Sequence, residues 1–199
     1  AERDPVNADE RKTLIDLIQG SVERSCALLQ DLEALAGFRG HDNAPARREV
    51  ELGSALRAVA DRLAALAAAN DVEIVIDEAA PSVAVDIRKL ELALTNLIGN
   101  AIKYCDRDKD RRWVRVTARL DDDSHLRLSI SDNGTGIDPE DLPKVFERFF
   151  RGRTTRGMEG TGLGLTIVWE SVQSVGGSVD VTSELGEGTC FTITVPIAG

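Results

Sequence analysis

Apolar residues recur at spacings of three and four along residues 8 to 36, with charged residues between them. The stripe runs through Leu14, Ile18, Val22, Ser25 or Cys26, Leu29, Leu32 and Leu35. This pattern predicts a long amphipathic helix with a coiled-coil-like seam. One helix cannot bury its own stripe, so a partner helix is expected from this chain or another. Gly37, Gly40 and the segment HDNAP predict that the helix has ended by residue 40, and residues 41–49 are predicted to be a linker.

Residues 50–199 alternate between helical and strand periodicity. Helices are predicted at about 51–69, 86–104 and 162–175, and strands at VEIVI, WVRVTARL, HLRLSISD, SVDVTS and CFTITVPI. The turn DDDS joins the second and third strands into a hairpin, and residues 132–161 form a glycine-rich, charged loop region. These elements predict an α/β fold, a two-layer α/β sandwich with a mixed sheet, preceded by one long amphipathic helix.

The charge balance argues against nucleic acid as the main partner. The net charge is −10 and the pI about 4.8, whereas binding to a phosphate backbone needs an excess of Lys and Arg. One segment departs from this balance, KVFERFFRGRTTRG, in which Lys144, Arg148, Arg151, Arg153 and Arg156 stand against Glu147. The segment indicates either a small anionic ligand or an exposed arginine-rich loop.

The three cysteines, Cys26, Cys105 and Cys190, are odd in number and far apart, which favours neither a disulfide framework nor a zinc site. A reducing cytosol fits this usage, and we expect a cytoplasmic location. No run of 18 uncharged apolar residues exists and no secretory signal opens the chain. Because residue 1 is Ala rather than Met, the chain is expected to be a fragment, and any membrane anchor would lie in segments outside it.

Three polar residues interrupt the apolar helix LTNLIGNAIKYC, at residues 94–105. Asn96, Asn100 and Lys103 are spaced i, i+4 and i+7, so they share one stripe of the helix. Amide oxygens are suitable ligands for Mg²⁺, and an ammonium can neutralise phosphate oxygens. The stripe is therefore either a magnesium-phosphate site or the ordinary wet face of an amphipathic helix.

Two glycine-rich motifs add to this picture. In SDNGTGI, Asp132 ends a strand where its carboxylate can accept a hydrogen bond from an amine, and Gly134 and Gly136 let a ligand approach the backbone. In EGTGLGLTIV, three glycines open a helix whose N-terminal N–H groups can face an anion. The spacing matches neither the dinucleotide fingerprint nor a P-loop. A turning loop and close helix packing are the alternative interpretations of the two motifs.

Four motifs occur in one order: NLIGNAIKY, DNGTGI, FERFFR and GTGLGLTIV. Together they resemble the N, G1, F and G2 boxes of sensor histidine kinase ATP-binding domains, within the gyrase, chaperone, histidine kinase and mismatch-repair ATPase superfamily. GEGTCFTITVPI is similar to the closing hairpin of that domain. The resemblance covers about residues 50–199, and the long helix at 1–40 resembles the second helix of a kinase dimerisation hairpin whose first helix is absent from this chain.

The resemblance implies roles for particular residues. Asn100 with Asn96 would hold Mg²⁺, Lys103 would contact the phosphates of ATP, and Tyr104 would lie against the nucleotide. Asp132 would receive the adenine amino group, and Gly134 and Gly136 would admit the base. Arg148 and Arg151 are candidates for γ-phosphate contact, and Asn96, Lys103, Arg148 and Arg151 form the candidate catalytic set. Gly160, Thr161, Gly162, Leu163 and Gly164 would bracket the triphosphate, and residues 152–160 suit a mobile lid.

The resemblance also implies a kinase core that transfers the γ-phosphate of ATP to a histidine, then to a response regulator, within a homodimeric full-length protein. The gyrase and chaperone relatives hydrolyse ATP with a glutamate at the position of Asn96, and an amide cannot deprotonate water. The two histidines, His41 in the linker and His125 in the hairpin, are not on a dimerisation helix. The acceptor is thus expected outside this chain, so the fragment should not autophosphorylate alone. The alternatives are a degenerate nucleotide-binding or dimerisation module and an ATP-hydrolysing clamp.

Overall fold

Seven strands and four α-helices account for most of the chain in the computed structural model, which describes residues 8–37, 47–78, 82–121, 124–153 and 160–197. The helices are α1 (Ala8–Gly37), α2 (Leu52–Ala69), α3 (Ile87–Lys103) and α4 (Gly164–Gln173). The strands are β1 (Arg48–Glu51), β2 (Val72–Glu78), β3 (Ser82–Val85), β4 (Arg112–Asp121), β5 (His125–Asp132), β6 (Ser178–Glu184) and β7 (Gly188–Pro196), and a 3₁₀ turn spans Leu142–Lys144.

The main sheet has five strands in the order β2-β4-β5-β7-β6. β2 pairs with β4 in parallel, and the other three pairs are antiparallel, so the sheet is mixed as the sequence predicts. β4, β5 and β7 alternate between buried and exposed positions, which places Val116, Leu128 and Ile193 on the covered face. The two-layer α/β sandwich with a preceding long helix is confirmed.

The core lies between this sheet and the helices α2, α3 and α4. The buried face of α3 consists of Leu90, Ala93, Leu94, Leu97, Ile98, Ala101 and Ile102. Phe191 is the one aromatic side chain among the buried core residues of the described part of the chain, as the low aromatic content suggests. Aliphatic side chains therefore provide nearly all the packing.

A second, two-stranded sheet was not anticipated from the sequence. β1 pairs antiparallel with β3, with Val50 opposite Val83. Arg48 and Glu49 thus lie in a strand although they belong to the predicted linker 41–49, of which residues 41–46 lie outside the described residues. A strand of four residues carries too little periodicity to be recognised, and here pairing with β3, rather than a pattern of its own, stabilises it.

The apolar stripe of α1 is exposed over most of its length, including Leu14, Ile18, Val22 and Leu29. Its last member, Leu35, is 7% exposed and packs with Leu163 and Ile167 at the start of α4. The C-terminal turns of α1 therefore find their partner within this chain. Among the described helices, none is both long and apolar enough to cross a membrane.

This contact predicts that two identical substitutions on α1 differ in effect. Leu35→Ala should lower the free energy of unfolding by about 2 kcal/mol, because it leaves a cavity against Leu163 and Ile167. Leu29→Ala, at a position that is 60% exposed, should cost less than about 0.5 kcal/mol. Urea unfolding, with hydrogen exchange of the last turns of α1, measures both. Equal effects would show that α1 is not docked in solution.

Candidate functional site

One cavity brings together side chains from α1, α3, β5, β7 and the glycine-rich segment before α4. Its volume is about 240 Å³, a little below the roughly 300–1,000 Å³ typical of small-molecule sites. Residues 154–159, within the predicted lid, lie outside the described residues. Of the predicted site residues, the cavity is lined by Asn96, Asn100, Lys103, Tyr104, Asp132, Gly136, Arg151, Gly160, Thr161, Gly162 and Gly164.

The polar stripe of α3 forms one wall. Because Leu94, Leu97 and Ile98 bury the opposite face of the helix, Asn96, Asn100 and Lys103 must face the cavity. The Asn96 side-chain amide donates to the Leu92 carbonyl at 2.9 Å, which fixes the orientation of the group. A Cβ atom at Gly164 would lie 3.0 Å from Asn96 Oδ1, so this oxygen sits beside the N-terminus of α4.

Asp132 lines the same cavity from the end of β5, the middle strand of the main sheet. Its Oδ1 accepts hydrogen bonds from the backbone N–H of Gly134 at 2.8 Å and of Thr189 at 3.3 Å. Within the described residues Oδ2 accepts none, which leaves one acceptor for a ligand. Burial raises the pKa of Asp132 to about 6, while these two N–H groups and Lys109 act in the opposite direction.

Gly134 and Gly136 are required by close backbone contacts. A Cβ atom at Gly134 would lie 2.5 Å from the Tyr104 carbonyl oxygen, and one at Gly136, where φ is +69°, would lie 2.1 Å from the Glu184 carbonyl oxygen. Gly136 lines the cavity but Gly134 does not. The role of Gly134 in this structure is to bring Asp132 and the end of α3 together.

The segment before α4 forms the third wall. Gly162 adopts a φ of +72°, and its carbonyl accepts the Phe149 N–H at 2.9 Å. At Gly160 a Cβ atom would lie 2.7 Å from Lys103 Nζ, so the absence of a side chain leaves room for the ammonium. Leu163 does not line the cavity, because its side chain is fully buried against α1.

The two arginines of the F box are placed differently. Arg151 lines the cavity, whereas Arg148 does not and instead pairs with Glu170 on α4 at 3.0 Å. Arg153 is bound to three carboxylates, Asp138, Glu140 and Asp141, within the segment that precedes the 3₁₀ turn. Arg156 lies outside the described residues. Of the described arginines in this basic segment, Arg151 alone reaches the cavity.

Several residues of the cavity were missed by the sequence analysis. Asp31 of α1 is the least expected, and its Oδ2 accepts a hydrogen bond from Thr161 Oγ1 at 2.6 Å. No motif surrounds Asp31, and it is distant in sequence from every other cavity residue, so no sequence signal could have found it. Thr189 belongs to the closing hairpin GEGTCFTITVPI, so the resemblance could have identified it as a cavity residue. The rest of the missed lining consists of Ala101, Thr135, Ile137, Asp141, Val145, Phe150, Leu165 and Phe191, and Gly152 was predicted only as part of the lid.

The α/β sandwich belongs to a class of ATPase domains, as a family comparison shows. A family profile described as "Histidine kinase-, DNA gyrase B-, and HSP90-like ATPase" matches residues 85–199, and the chain belongs to this family. Within it, the similarities are to sensor histidine kinases, and the ATP-binding catalytic domain predicted from the four motifs is confirmed.

The individual relatives support this placement. The chain is 43% identical over 113 residues to the sensor protein SrrB of Staphylococcus aureus, a match that covers 56% of this chain and 19% of that protein. The chain thus spans about a fifth of the length of these curated relatives. The mycobacterial sensor histidine kinase MprB is 31% identical with a TM-score of 0.65, over 75% of this chain and 98% of that one. Full-length ShkA in complex with AMPPNP has a TM-score of 0.79 at 28% identity, over 98% of this chain and 40% of that one.

The partly buried carboxylate of Asp132 predicts a pH-dependent stability. Since the pKa of Asp132 is raised to about 6 by the fold, the stabilisation that the protonated group provides is present below about 4 and lost as the pH rises through 6. Asp132→Asn should therefore gain stability relative to the parent between pH 4 and pH 7, by about 2–3 kcal/mol in the free energy of unfolding. Urea unfolding at several pH values measures the difference.

Asp180→Asn is the matched control, because Asp180 is exposed on β6 of the same sheet. It should follow the parent at every pH. A constant difference between Asp132→Asn and the parent across this range would contradict the raised pKa.

Proposed function

We propose that residues 50–199 are the kinase core of a two-component sensor histidine kinase. In this proposal the core binds Mg²⁺-ATP and transfers its γ-phosphate to a histidine outside this chain, from which it passes to a response regulator. The observation that carries the proposal is that Asp132 and Asn100, from β5 and α3, line a single cavity. A cavity that combines a carboxylate with amide and ammonium groups matches adenine and triphosphate in its chemistry.

The adenine end fits its ligand through one acceptor. Asp132 Oδ1 is occupied by two backbone N–H groups, which orients the carboxylate and leaves Oδ2 for the adenine amino group. Tyr104, Ile137 and Phe191 provide apolar surface for the base. A guanine would present a carbonyl oxygen to the same carboxylate, so the site favours adenine.

The phosphate end fits through positive and dipolar groups. Lys103, Arg151 and the N–H groups at the start of α4 are placed to offset phosphate charge. Among the described residues no cluster of three or more His, Cys, Asp or Glu side chains could hold a metal. Asn96 and Asn100, which line the cavity from one stripe of α3, are the proposed Mg²⁺ ligands together with phosphate oxygens, and bound magnesium would neutralise charge on those oxygens.

Phosphoryl transfer asks this domain for positioning and charge neutralisation rather than for a nucleophile. Lys103 and Arg151 would hold the phosphates, and Gly160, Thr161, Gly162 and Gly164 would leave the backbone accessible to them. Arg151 lines the cavity whereas Arg148 is paired with Glu170 away from it, so Arg151 is the stronger candidate for γ-phosphate contact. We further propose that residues 1–40 are the second helix of a dimerisation hairpin, that a linker leads from it to β1, and that the core acts in the cytoplasm as part of a homodimer.

Two other functions use the same cavity. A degenerate module would bind nucleotide or nothing, and the complete set of polar groups in the cavity favours the active kinase over it. A hydrolysing clamp would need a base near the γ-phosphate. The residue at that place is Asn96, whose amide already donates to Leu92 and cannot accept a proton from water.

Nucleotide titration tests the binding proposal. The parent should bind ATP in a Mg²⁺-dependent manner and should bind GTP at least about 100-fold more weakly. Asp132→Asn should lose about tenfold or more in ATP affinity. The amide N–H₂ group and the adenine amino group are both hydrogen-bond donors, so they cannot bond to each other. Isothermal titration calorimetry with and without EDTA measures this, with Asp180→Asn as the control. If the parent shows no Mg²⁺-dependent affinity for ATP, the kinase proposal is wrong.

Incubation with labelled ATP tests the transfer proposal. The isolated chain should acquire no acid-labile, base-stable phosphate, and it should release inorganic phosphate only slowly. Label that is lost in His41→Ala would place the acceptor within this chain. Steady phosphate release that disappears in Asn96→Ala would favour the hydrolysing clamp instead.

A further inference from the structure

The connection between α3 and β4 carries seven consecutive charged residues, DRDKDRR, at 106–112. Two of its four cations point toward β2 and the residue before it, where Arg111 pairs with Glu73 at 2.9 Å and Arg112 pairs with Asp71 at 2.7 Å. Lys109 points the other way. Its Nζ donates to the carbonyl oxygens of Gly186 at 2.7 Å and of Glu187 at 3.2 Å, both in the turn between β6 and β7.

That turn is packed directly against the adenine end of the cavity. The Gly186 N–H donates to the Thr135 carbonyl at 2.8 Å, which joins the turn to the DNGTGI loop. A Cβ atom at Gly188 would lie 2.0 Å from the Asp132 carbonyl oxygen, so the turn backbone is in contact with the backbone of the adenine-binding residue. The next residue, Thr189, donates its N–H to Asp132 Oδ1 at 3.3 Å.

The Lys109 ammonium thus joins the α3–β4 connection to the β6–β7 turn, and the backbone of that turn is in turn hydrogen-bonded to the DNGTGI loop that follows Asp132. We propose that Lys109 is a positioning residue for nucleotide recognition, which clamps the β6–β7 turn so that Thr189 holds Asp132 with one oxygen free for the adenine amino group. This inference rests on the proposed ATP binding. Lys109 itself does not line the cavity, so its effect must pass through the turn and through its charge.

The charge of Lys109 acts in the same direction as its hydrogen bonds. Burial raises the pKa of Asp132, and Lys109 is the charged side chain that lowers it toward the ionised form that an amine prefers. The other titratable groups that line the cavity with Asp132 are Asp31, Lys103, Tyr104, Asp141 and Arg151, and Glu184 and Glu187 flank the β6–β7 turn. Among these groups, Lys109 is the one that is hydrogen-bonded to the β6–β7 turn. Thr189, which donates its N–H to Asp132, follows directly after that turn.

The test compares Lys109→Met, Lys109→Gln and Lys109→Arg with the parent, and with Lys12→Met, which removes an exposed lysine from α1. The first readout is the pKa of the Asp132 carboxyl, followed by ¹³C NMR in the absence of nucleotide. It should rise in the Met and Gln variants and return toward the parent value in the Arg variant. Lys12→Met should leave it unchanged.

The second readout is Mg²⁺-ATP affinity between pH 6 and pH 8. Lys109→Met should weaken binding about tenfold at pH 6.5 relative to the parent, and the loss should shrink toward pH 8 as Asp132 ionises. Comparison at each pH cancels the titration of ATP itself. Lys109→Gln keeps a donor without the charge, so it should lose less affinity than the Met variant while its Asp132 pKa still rises.

Two results would overturn the inference. One is an Asp132 pKa that is the same in Lys109→Met and in the parent, and the other is an affinity loss that does not depend on pH. A parent that binds no ATP would instead refute the proposed function, and the NMR titration would still report on the contact between Lys109 and the turn.

Discussion

The phase of α3 is the constraint on which the site depends. Its apolar side chains, with Leu94, Leu97 and Ile98 at 0–1% exposure, are buried between the sheet and the neighbouring helices, so the helix cannot rotate about its axis without exposing them. Burial of one face therefore orients the other, and Asn96, Asn100 and Lys103 are held toward the cavity by packing on the far side of the helix. Polar groups oriented in this way need little rearrangement to meet a charged ligand, which lowers the entropic cost of binding.

Holding Asp132 in the cavity lowers the stability of the ligand-free fold. A carboxylate with a pKa raised to about 6 lowers the stability of the ligand-free fold at neutral pH, and the fold offsets part of that cost with two backbone N–H groups. A more complete set of donors would stabilise the domain and would leave no oxygen for an incoming amine. An acceptor without a partner lowers the stability of the ligand-free fold, but a binding site needs such an acceptor for its ligand.

The sequence predicted those parts of the fold and site in which a residue's role follows from its neighbours along the chain. α3, the β4–β5 hairpin and the glycine-rich start of α4 each have a local pattern, and the residues predicted from the ordered motifs make up half of the cavity lining. The parts that were missed depend on distant partners. β1 is stabilised by pairing with β3, Arg148 is drawn away from the cavity by Glu170, and Asp31 reaches Thr161 only because α1 packs against α4.

The contact of α1 with the cavity has a consequence for how the two parts respond to each other. Asp31 and Leu35 are one helical turn apart on α1, and they touch Thr161 and Leu163, which are two residues apart in the glycine-rich segment. A helix moves as a rigid element, so undocking its last turns would break both contacts together. The Thr161 hydroxyl also accepts the Leu163 N–H at 3.2 Å, which links the polar contact to the apolar one. By linkage, any ligand that changes the conformation of residues 160–164 must change the docking equilibrium of α1, and the converse must hold with the same free energy.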